Sequence, residues 1–563
     1  MTLRRASAAL LLFLALLPAC AGDEGGDDDT DGGIAPSAPV TVEAGGVSVQ
    51  VEAGPESVLT AVLSVEADHP LRPALVAAAG PHRVEVPAPR RARRSVTLAL
   101  VGLRAETTYA LTLSGDPAFA ALDDELEFRT GSLPNDLPVV ETRVDGDPRP
   151  GATLFNATPT DLSVPHPGNL MAVDDEGEVV WYHQDSQLIS DARQLPNGDV
   201  LYNFANIGAR EVDVLGRIVH DWTTDTRVRW GQNDHFGHET YADDAVVLAT
   251  PRLHHEVADA LPNGNFLSLS QEVRTFRDFA DPACPPEPFP DPTVRPERGD
   301  VVVEFTPEGR IVHQIPLLDV IDPREQPGSQ QCNLKTDAVA NGNGVFVDWS
   351  HANSATLFET ENTVLVSARN LSSIVALRWE DDAEGPAGEV LWQFGPGLDF
   401  TLTEGEWFYR QHAPEVEPDG TILLYDNGSQ RPPGPDGKVG APYSRAVQYE
   451  LDRSGPRGTW TARQVWEHRI DTPVGPVFSD FMGDADAIGD NHVLITHGAV
   501  VDAATALNTA LIVEVDRATD AVVLSIRVPS GDGIGWQTYR AEHLDTWYPR
   551  ATDQPLAGDP PLP

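Results

Sequence analysis

The sequence predicts an all-β protein, a six-bladed β-propeller preceded by a small β-sandwich. Three observations carry that expectation. A strand built on a tight turn recurs along the chain, in QLPNGDVLYNF (194–204), ALPNGNFLSLS (260–270), ETENTVLVSAR (359–369), VEPDGTILLYD (416–426) and AIGDNHVLITH (487–497). Hairpins of two alternating strands lie between these copies, among them LMAVDDEGEVVWYH, VVVEFTPEGRIVHQI and LIVEVDRATDAVVLSIRV. No helical period is sustained anywhere, so the repeat has to be read as sheets.

Each element follows from local chemistry. Asn-Gly, Asp-Gly and Glu-Gly at the turns supply the positive φ that tight hairpins need. The two units alternate at about sixty residues, and sheets repeated in this way close most simply around a central axis. Six hairpins predict six blades; seven or eight would follow if the insertion at 271–300 held further strands. The segment GWQTYRAEHLDTWYP (535–549) is expected to supply the strand that closes the ring. Upstream, VTVEAGGVSVQVEA, LTAVLSV, HRVEV, SVTLALVGL, TYALTLSG and LEFRT read as a sandwich. The run LVGLRAETTYALTL followed by EFRTGSLP resembles a fibronectin type III domain, which makes Leu103 and Tyr109 the expected corner where a tyrosine hydroxyl ties back to the backbone.

The expected organisation is a signal peptide at 1–19, an acidic Gly/Asp-rich linker at 20–39, the fibronectin III-like sandwich at 40–132, the propeller at 138–550 and a tail at 551–563. Arg4 and Arg5 precede an apolar stretch too short to span a bilayer, and Leu17-Pro18-Ala19-Cys20 resembles a bacterial lipobox. Cys20 is therefore the expected lipidation site of an exported lipoprotein. Ala21 and Gly22 lack an acidic retention signal, which favours an outer-membrane anchor facing the periplasm. Cys284 and Cys332 remain as an even pair in an exported chain and read as a disulfide worth ~4 kcal/mol, against the alternative of two free thiols.

Charge narrows the function further. Against 39 Lys+Arg stand 86 Asp+Glu, a net charge of -47, which argues against nucleic acid as a partner. Hydrophobic residues at 41% and 11 tryptophans exclude a disordered chain.

Polar clusters stand just ahead of the inner strands: RLHHEV (252–257), DWSHANS (348–354), RQHAPEV (410–416) and GDADAI (483–488). His255, His351 and His412 fall at similar distances before successive turns, so three blades direct imidazoles toward one axis. Arg369 ends the strand that follows His351 and can face the same channel. Taken singly, His351 reads as a buried structural histidine and Arg369 as an ion-pair partner. Three histidines could also hold a metal, but an adjacent arginine opposes a cation there and no metal is expected.

LHHEVADALPNGN, DWSHANSATLF, NTVLVSARN, WQFG, QHAPEVEPDGTILLYDNG, SRAVQYELD and YRAEHL, in this order over residues 140–549, resemble the bacterial arylsulfate sulfotransferase family. The resemblance implies a transferase that moves a sulfuryl group from an aryl sulfate to a phenol without a nucleotide cofactor. The chain has no GxxxxGK[ST] phosphate loop. The resemblance implies His412 as the sulfated nucleophile, His351 and Arg369 as sulfuryl-binding groups, and His254 or His255 as a third histidine. Spacing to the glycine turn favours His255, with His254 as a substrate contact. Asn353 orients His351, forms a turn or contacts substrate, and Asn427 shapes a turn or contacts substrate. The long insertion between 271 and 340 departs from the family pattern. The competing reading is a non-catalytic propeller that binds a polysaccharide or a protein.

Overall fold

The last strands of the chain complete its first propeller sheet, and this pairing organises everything between. The computed structural model describes residues 33–548 apart from 123–125, 162–165, 205–206, 225–244, 280–288, 290, 292, 327–333, 338–343, 359–360, 435–436 and 490. Ala541–Leu544 runs antiparallel to Ala152–Pro159 with Leu154 opposite Glu542, and Trp536–Gln537 continues the pairing to Thr158 and Pro159. At the other end of the ring, Glu141–Val144 pairs with Ala521–Val528 on the outside of the last sheet. The closing role of the segment 535–549 matches its sequence. The second seam escapes sequence reading because Glu141–Val144 is four residues long and exposed throughout.

Among the described residues, six sheets of four to six strands follow one another in chain order within the propeller region, with a two-stranded hairpin at Asp471–Pro476 before the last. Their innermost strands touch in sequence around a circle: Ile189–Gln194, His254–Ala260, Ala352–Phe358, His412–Val416 and Asp484–Ala487. Ala541–Leu544 completes the circle between His492–Val501 and Ile189–Gln194. This is a β-propeller. Aromatic side chains bind consecutive sheets; the Trp222 ring lies 5.1 Å from Phe266 and 5.8 Å from Phe305 on the next sheet. The repeated turns are alike in detail. Gly198, Gly264 and Gly420 donate to Leu195, Leu261 and Glu417 carbonyls at 2.8 Å, with φ of 99°, 83° and 84°. A side chain at those φ values would be strained, which explains the recurring glycine.

The insertion elaborates the third sheet. Phe266–Arg277 and Val294–Phe305 pair over their whole lengths as a long hairpin. Leu334–Asp337 and Gly344–Asp348 then join its outer part, with Arg298 opposite Asp348. Strands hidden in the insertion thus extend a sheet already present.

The sandwich packs two four-stranded sheets around Val49, Leu63, Leu98, Leu111 and Phe128. Leu103 and Tyr109 are fully buried, and the Tyr109 hydroxyl accepts a 2.9 Å hydrogen bond from Arg104 N, the corner expected from the sequence. Arg104 reaches the propeller, donating to Asp174 from Nη2 at 2.6 Å. Cys20, Cys284 and Cys332 lie outside the described residues, so the anchor and the disulfide stay expectations of the sequence. Among the described residues no helix is long and apolar enough to cross a membrane.

Just past the closing strand, Tyr548 fastens the closing segment to the sandwich. Its hydroxyl accepts from Val101 N at 3.0 Å and donates to Ala99 O at 2.8 Å. Tyr548→Phe leaves that donor and that acceptor without their partner. It is expected to lower stability by about 1–3 kcal/mol, read as a reduced denaturant midpoint at unchanged slope.

Candidate active site

Three inner strands break register with their neighbours as they begin: His254–Ala260, Ala352–Phe358 and His412–Val416. Such bulges re-aim side chains. Near these breaks the backbone turns left-handed, with φ of 59° at His255, 46° at His351 and 44° at Ala413. Ser372, Arg410, Gln430 and Met482 share that conformation. Each such residue costs on the order of 1–3 kcal/mol, and strain of this kind gathers where function requires it.

The result is a cluster of rings. His255 stands 5.0 Å from His351 and 5.7 Å from Tyr539, centroid to centroid, and His412 stands 6.2 Å from Tyr539. The closing segment of the chain therefore supplies the ring between the histidines. The Tyr539 hydroxyl donates to Asn353 O at 3.0 Å, and its neighbour Arg540 pairs with buried Glu256 at 3.0 Å.

Hydrogen bonding defines the His412 tautomer. The Asn427 amide nitrogen donates to Ser479 O at 2.9 Å and Met482 O at 2.7 Å, so its oxygen must face His412. His412 Nδ1 lies 2.6 Å from that oxygen and has to carry the proton. Nε2 is left with the lone pair. Burial, then the Arg369 charge, pushes the His412 pKa well below its ordinary value, which keeps the ring neutral. Asn427 thus serves the histidine and is not free for the substrate contact expected of it.

The other histidines have different backing. His351 Nδ1 lies 2.5 Å from Asp348 Oδ2, while Arg298 Nη2 holds Asp348 Oδ1 at 2.6 Å. Burial opposes charge on Asp348, but His351 and Arg298 outweigh it and hold the carboxyl far below the usual range. His254 Nε2 donates to Ser270 O at 3.0 Å, and its Nδ1 meets His255 Nδ1 at 2.8 Å. Of the pair, His255 faces the ring cluster. His254, expected to touch substrate, stands behind it with both nitrogens engaged. Burial lowers both, His254 to about 3.

Arg369 is the cation of the site. Nη1 donates to Asn370 Oδ1 at 3.3 Å and Nη2 to Asp480 O at 3.1 Å, while Nε is buried with no partner. Among the described residues no carboxylate lies within ion-pair distance of it, so the ion-pair reading of Arg369 fails. Burial lowers its pKa, yet an arginine stays charged. Arg410, two residues before His412, donates to the same Asn370 oxygen. Burial and the Arg369 charge bring Arg410 down to about 10. Asn353 donates to Gln411 O at 2.7 Å, and its buried Oδ1 has no partner. Among the described residues no group of three His, Cys, Asp or Glu has the arrangement to hold a metal ion.

Sequence reasoning passed over Asp348, Arg410 and Tyr539. All three lie inside the quoted motifs DWSHANS, RQHAPEV and YRAEHL, and their distance of three residues or fewer from a site residue or ring-closing strand was the available signal. Arg298 had no such signal, because it arrives on the insertion.

A propeller mouth with the neutral rings of His255 and His412 near a half-buried guanidinium that has no carboxylate in ion-pair contact among the described residues is suited to an anion. The pattern of the arylsulfotransferase (ASST) family matches residues 139–540, and the chain belongs to this family. Arylsulfate sulfotransferase AssT of Escherichia coli O6:H1 is 23% identical over 217 residues, 30% of this chain. The match spans about a third (34%) of that relative's length. Similar solved structures include a protein of unknown function from Bacteroides caccae, with a TM-score of 0.35 and 12% identity over 70% of this chain and 98% of that one. Another is the periplasmic gluconolactonase PpgL of Pseudomonas aeruginosa, at 0.28 and 11% over 69% and 99%.

The tautomer is directly measurable. A lowered imidazole pKa moves protonation to more acidic pH. In nitrogen-15 spectra of histidine-labelled protein, His412 is therefore expected as the neutral Nδ1–H form at pH ~6.5, where a free imidazole is half charged. A half-protonated His412 at that pH is the contrary result.

Proposed function

We propose that the protein is an aryl-sulfate sulfotransferase that works through a sulfated histidine. The observation that carries this reading is the His412 Nε2 lone pair, fixed by Asn427, in a site whose Arg369 keeps a buried N–H without a partner. A neutral imidazole is a competent nucleophile, and an orphaned guanidinium donor calls for an anionic oxygen.

In the first half-reaction, Nε2 attacks the sulfur of an aryl sulfate. The N–S bond forms as the S–O(aryl) bond breaks, and the electron pair leaves on the phenolate. The ring becomes cationic while Nδ1–H stays on Asn427, whose oxygen stabilises the new charge. Arg369 and His351 hold the non-bridging oxygens, while His255, whose Nδ1–H is spent on His254, packs its neutral ring beside them. Fixed donors of this kind are worth about 3–4 kcal/mol each when removed. In the second half-reaction a phenol gives its proton to water and attacks the sulfur; the O–S bond forms as the N–S bond breaks and returns its electron pair to Nε2, and the phenolate released earlier takes up a proton in solution. Donor and acceptor use one site in turn, and the kinetics are ping-pong.

The N-terminal sequence supports placing this chemistry outside the cytoplasm, on a lipoprotein attached through Cys20 to the outer membrane. Cys284 and Cys332 would be joined by a disulfide there.

Protein incubated with nitrophenyl sulfate and no acceptor is expected to release a burst of nitrophenol. It should gain roughly 80 Da on the peptide that contains His412, lost again when a phenol is added. His412→Ala should abolish burst and adduct, and Arg369→Lys should slow turnover about a hundredfold, because a point charge cannot replace the planar fork. A label on another histidine would reassign the nucleophile. No turnover of any aryl sulfate would leave the binding-propeller reading.

A further inference from the structure

The groups assigned so far hold a sulfuryl group; an aryl ring needs a different surface. The ring of an aryl sulfate is one ester oxygen away from sulfur, so its recognition surface has to adjoin the groups that take the sulfuryl oxygens. Among the described residues, Phe481 is the sole aromatic side chain that is exposed, at 37%. Every other described Phe, Trp and Tyr is buried or half-buried. A single exposed apolar side chain is ordinary on a protein surface; what singles out Phe481 is its place in the chain beside the site.

Its position is fixed by the site itself. The Asp480 carbonyl on one side accepts from Arg369 Nη2 at 3.1 Å and from Ser429 Oγ at 2.7 Å. The Met482 carbonyl on the other side accepts from Asn427 Nδ2 at 2.7 Å. Gly483 N donates to Tyr539 O at 3.1 Å, and the Phe481 carbonyl itself accepts from Ser479 Oγ at 2.9 Å. Met482 is held at a φ of 61°, a conformation that bulky residues avoid unless their surroundings enforce it. The groups that place the sulfuryl anchor, the nucleophile and the ring between the histidines therefore also place Phe481. One residue, about 3.8 Å of chain, separates it from the carbonyl bound to Arg369.

We propose that Phe481 is a specificity-determining residue that stacks against the aromatic ring of the donor and of the phenolic acceptor. The inference rests on the sulfotransferase reading and names the part of the substrate it leaves unassigned. Phe481 forms no bond to the sulfuryl group and takes no part in the electron flow, so its loss affects the binding of rings and leaves anion binding alone.

The test uses the full chain and compares Phe481→Ala, Phe481→Trp and, as a more exposed apolar control outside the site, Val474→Ser. Nitrophenyl sulfate kinetics are measured together with inhibition by benzenesulfonate and by methanesulfonate, which share an anionic head and differ in the ring. Phe481→Ala is expected to raise KM for nitrophenyl sulfate and weaken benzenesulfonate inhibition by about three- to tenfold. The burst amplitude and methanesulfonate inhibition should not move. Phe481→Trp should restore ring binding, and Val474→Ser should behave as wild type. If the wild type turns over nitrophenyl sulfate and Phe481→Ala keeps its KM, the inference is overturned while the sulfotransferase reading stands. Equal weakening of both sulfonates overturns it as well, since the loop would then act through Arg369. A wild-type protein inert toward aryl sulfates removes both readings together.

Discussion

The pairing of Ala541–Leu544 with Ala152–Pro159 is the constraint on which the rest depends. A ring of sheets has no edge strands only if its two ends are joined, and here one join lies on the inside of the first sheet. Tyr539 and Arg540 immediately precede that strand. Tyr539 stands between His255 and His412, and Arg540 compensates Glu256 in the channel below. Architecture and site thus share one set of hydrogen bonds. Asn156 ties them further, with its side-chain oxygen taking Tyr539 N at 2.7 Å and its carbonyl taking the Thr538 hydroxyl at 2.8 Å.

A chain with a net charge of -47 still builds a site for anions, and it does so by withholding carboxylates. Arg298 is matched to Asp348, and Arg193 and Arg540 to Glu256. Arg369 instead receives an amide oxygen and a backbone carbonyl, which solvate its charge without cancelling it. The distant surface acids are screened over about 8–10 Å at physiological salt, and Asp480 and Asp348 act on Arg369 through space without an ion-pair contact. Deep burial then keeps His255 and His412 neutral, available as lone pairs and weak donors without adding to the cost of buried charge.

Much of this was legible in the sequence because the fold repeats. Equivalent positions in successive units come to equivalent places around an axis, so His255, His351 and His412 could be gathered from their spacing to the turns alone. Arg369 followed as the end of one such unit. Partnerships across strands were not legible. Asn427 follows Ile422–Asp426, the strand next to the one His412 begins, and register alone decides that the two meet. His254 and His255 both fit the spacing, and a bulge with a left-handed residue settles which one faces inward. Arg298 and Phe481 belong to segments with no repeat, where only the folded chain gives a residue its neighbours.

The inside seam has a consequence in time. Residue 154 cannot find its partner until residue 542 exists, so the first sheet made is among the last completed. Contacts this far apart in sequence form slowly, after the loop between them has been closed at an entropic cost. A growing chain therefore presents its histidines and arginines without Tyr539 between them, as separate side chains on unfinished sheets. Reactivity arrives with the C-terminus, in one step, and a chain cut short before that strand is left with the residues of the site and no site.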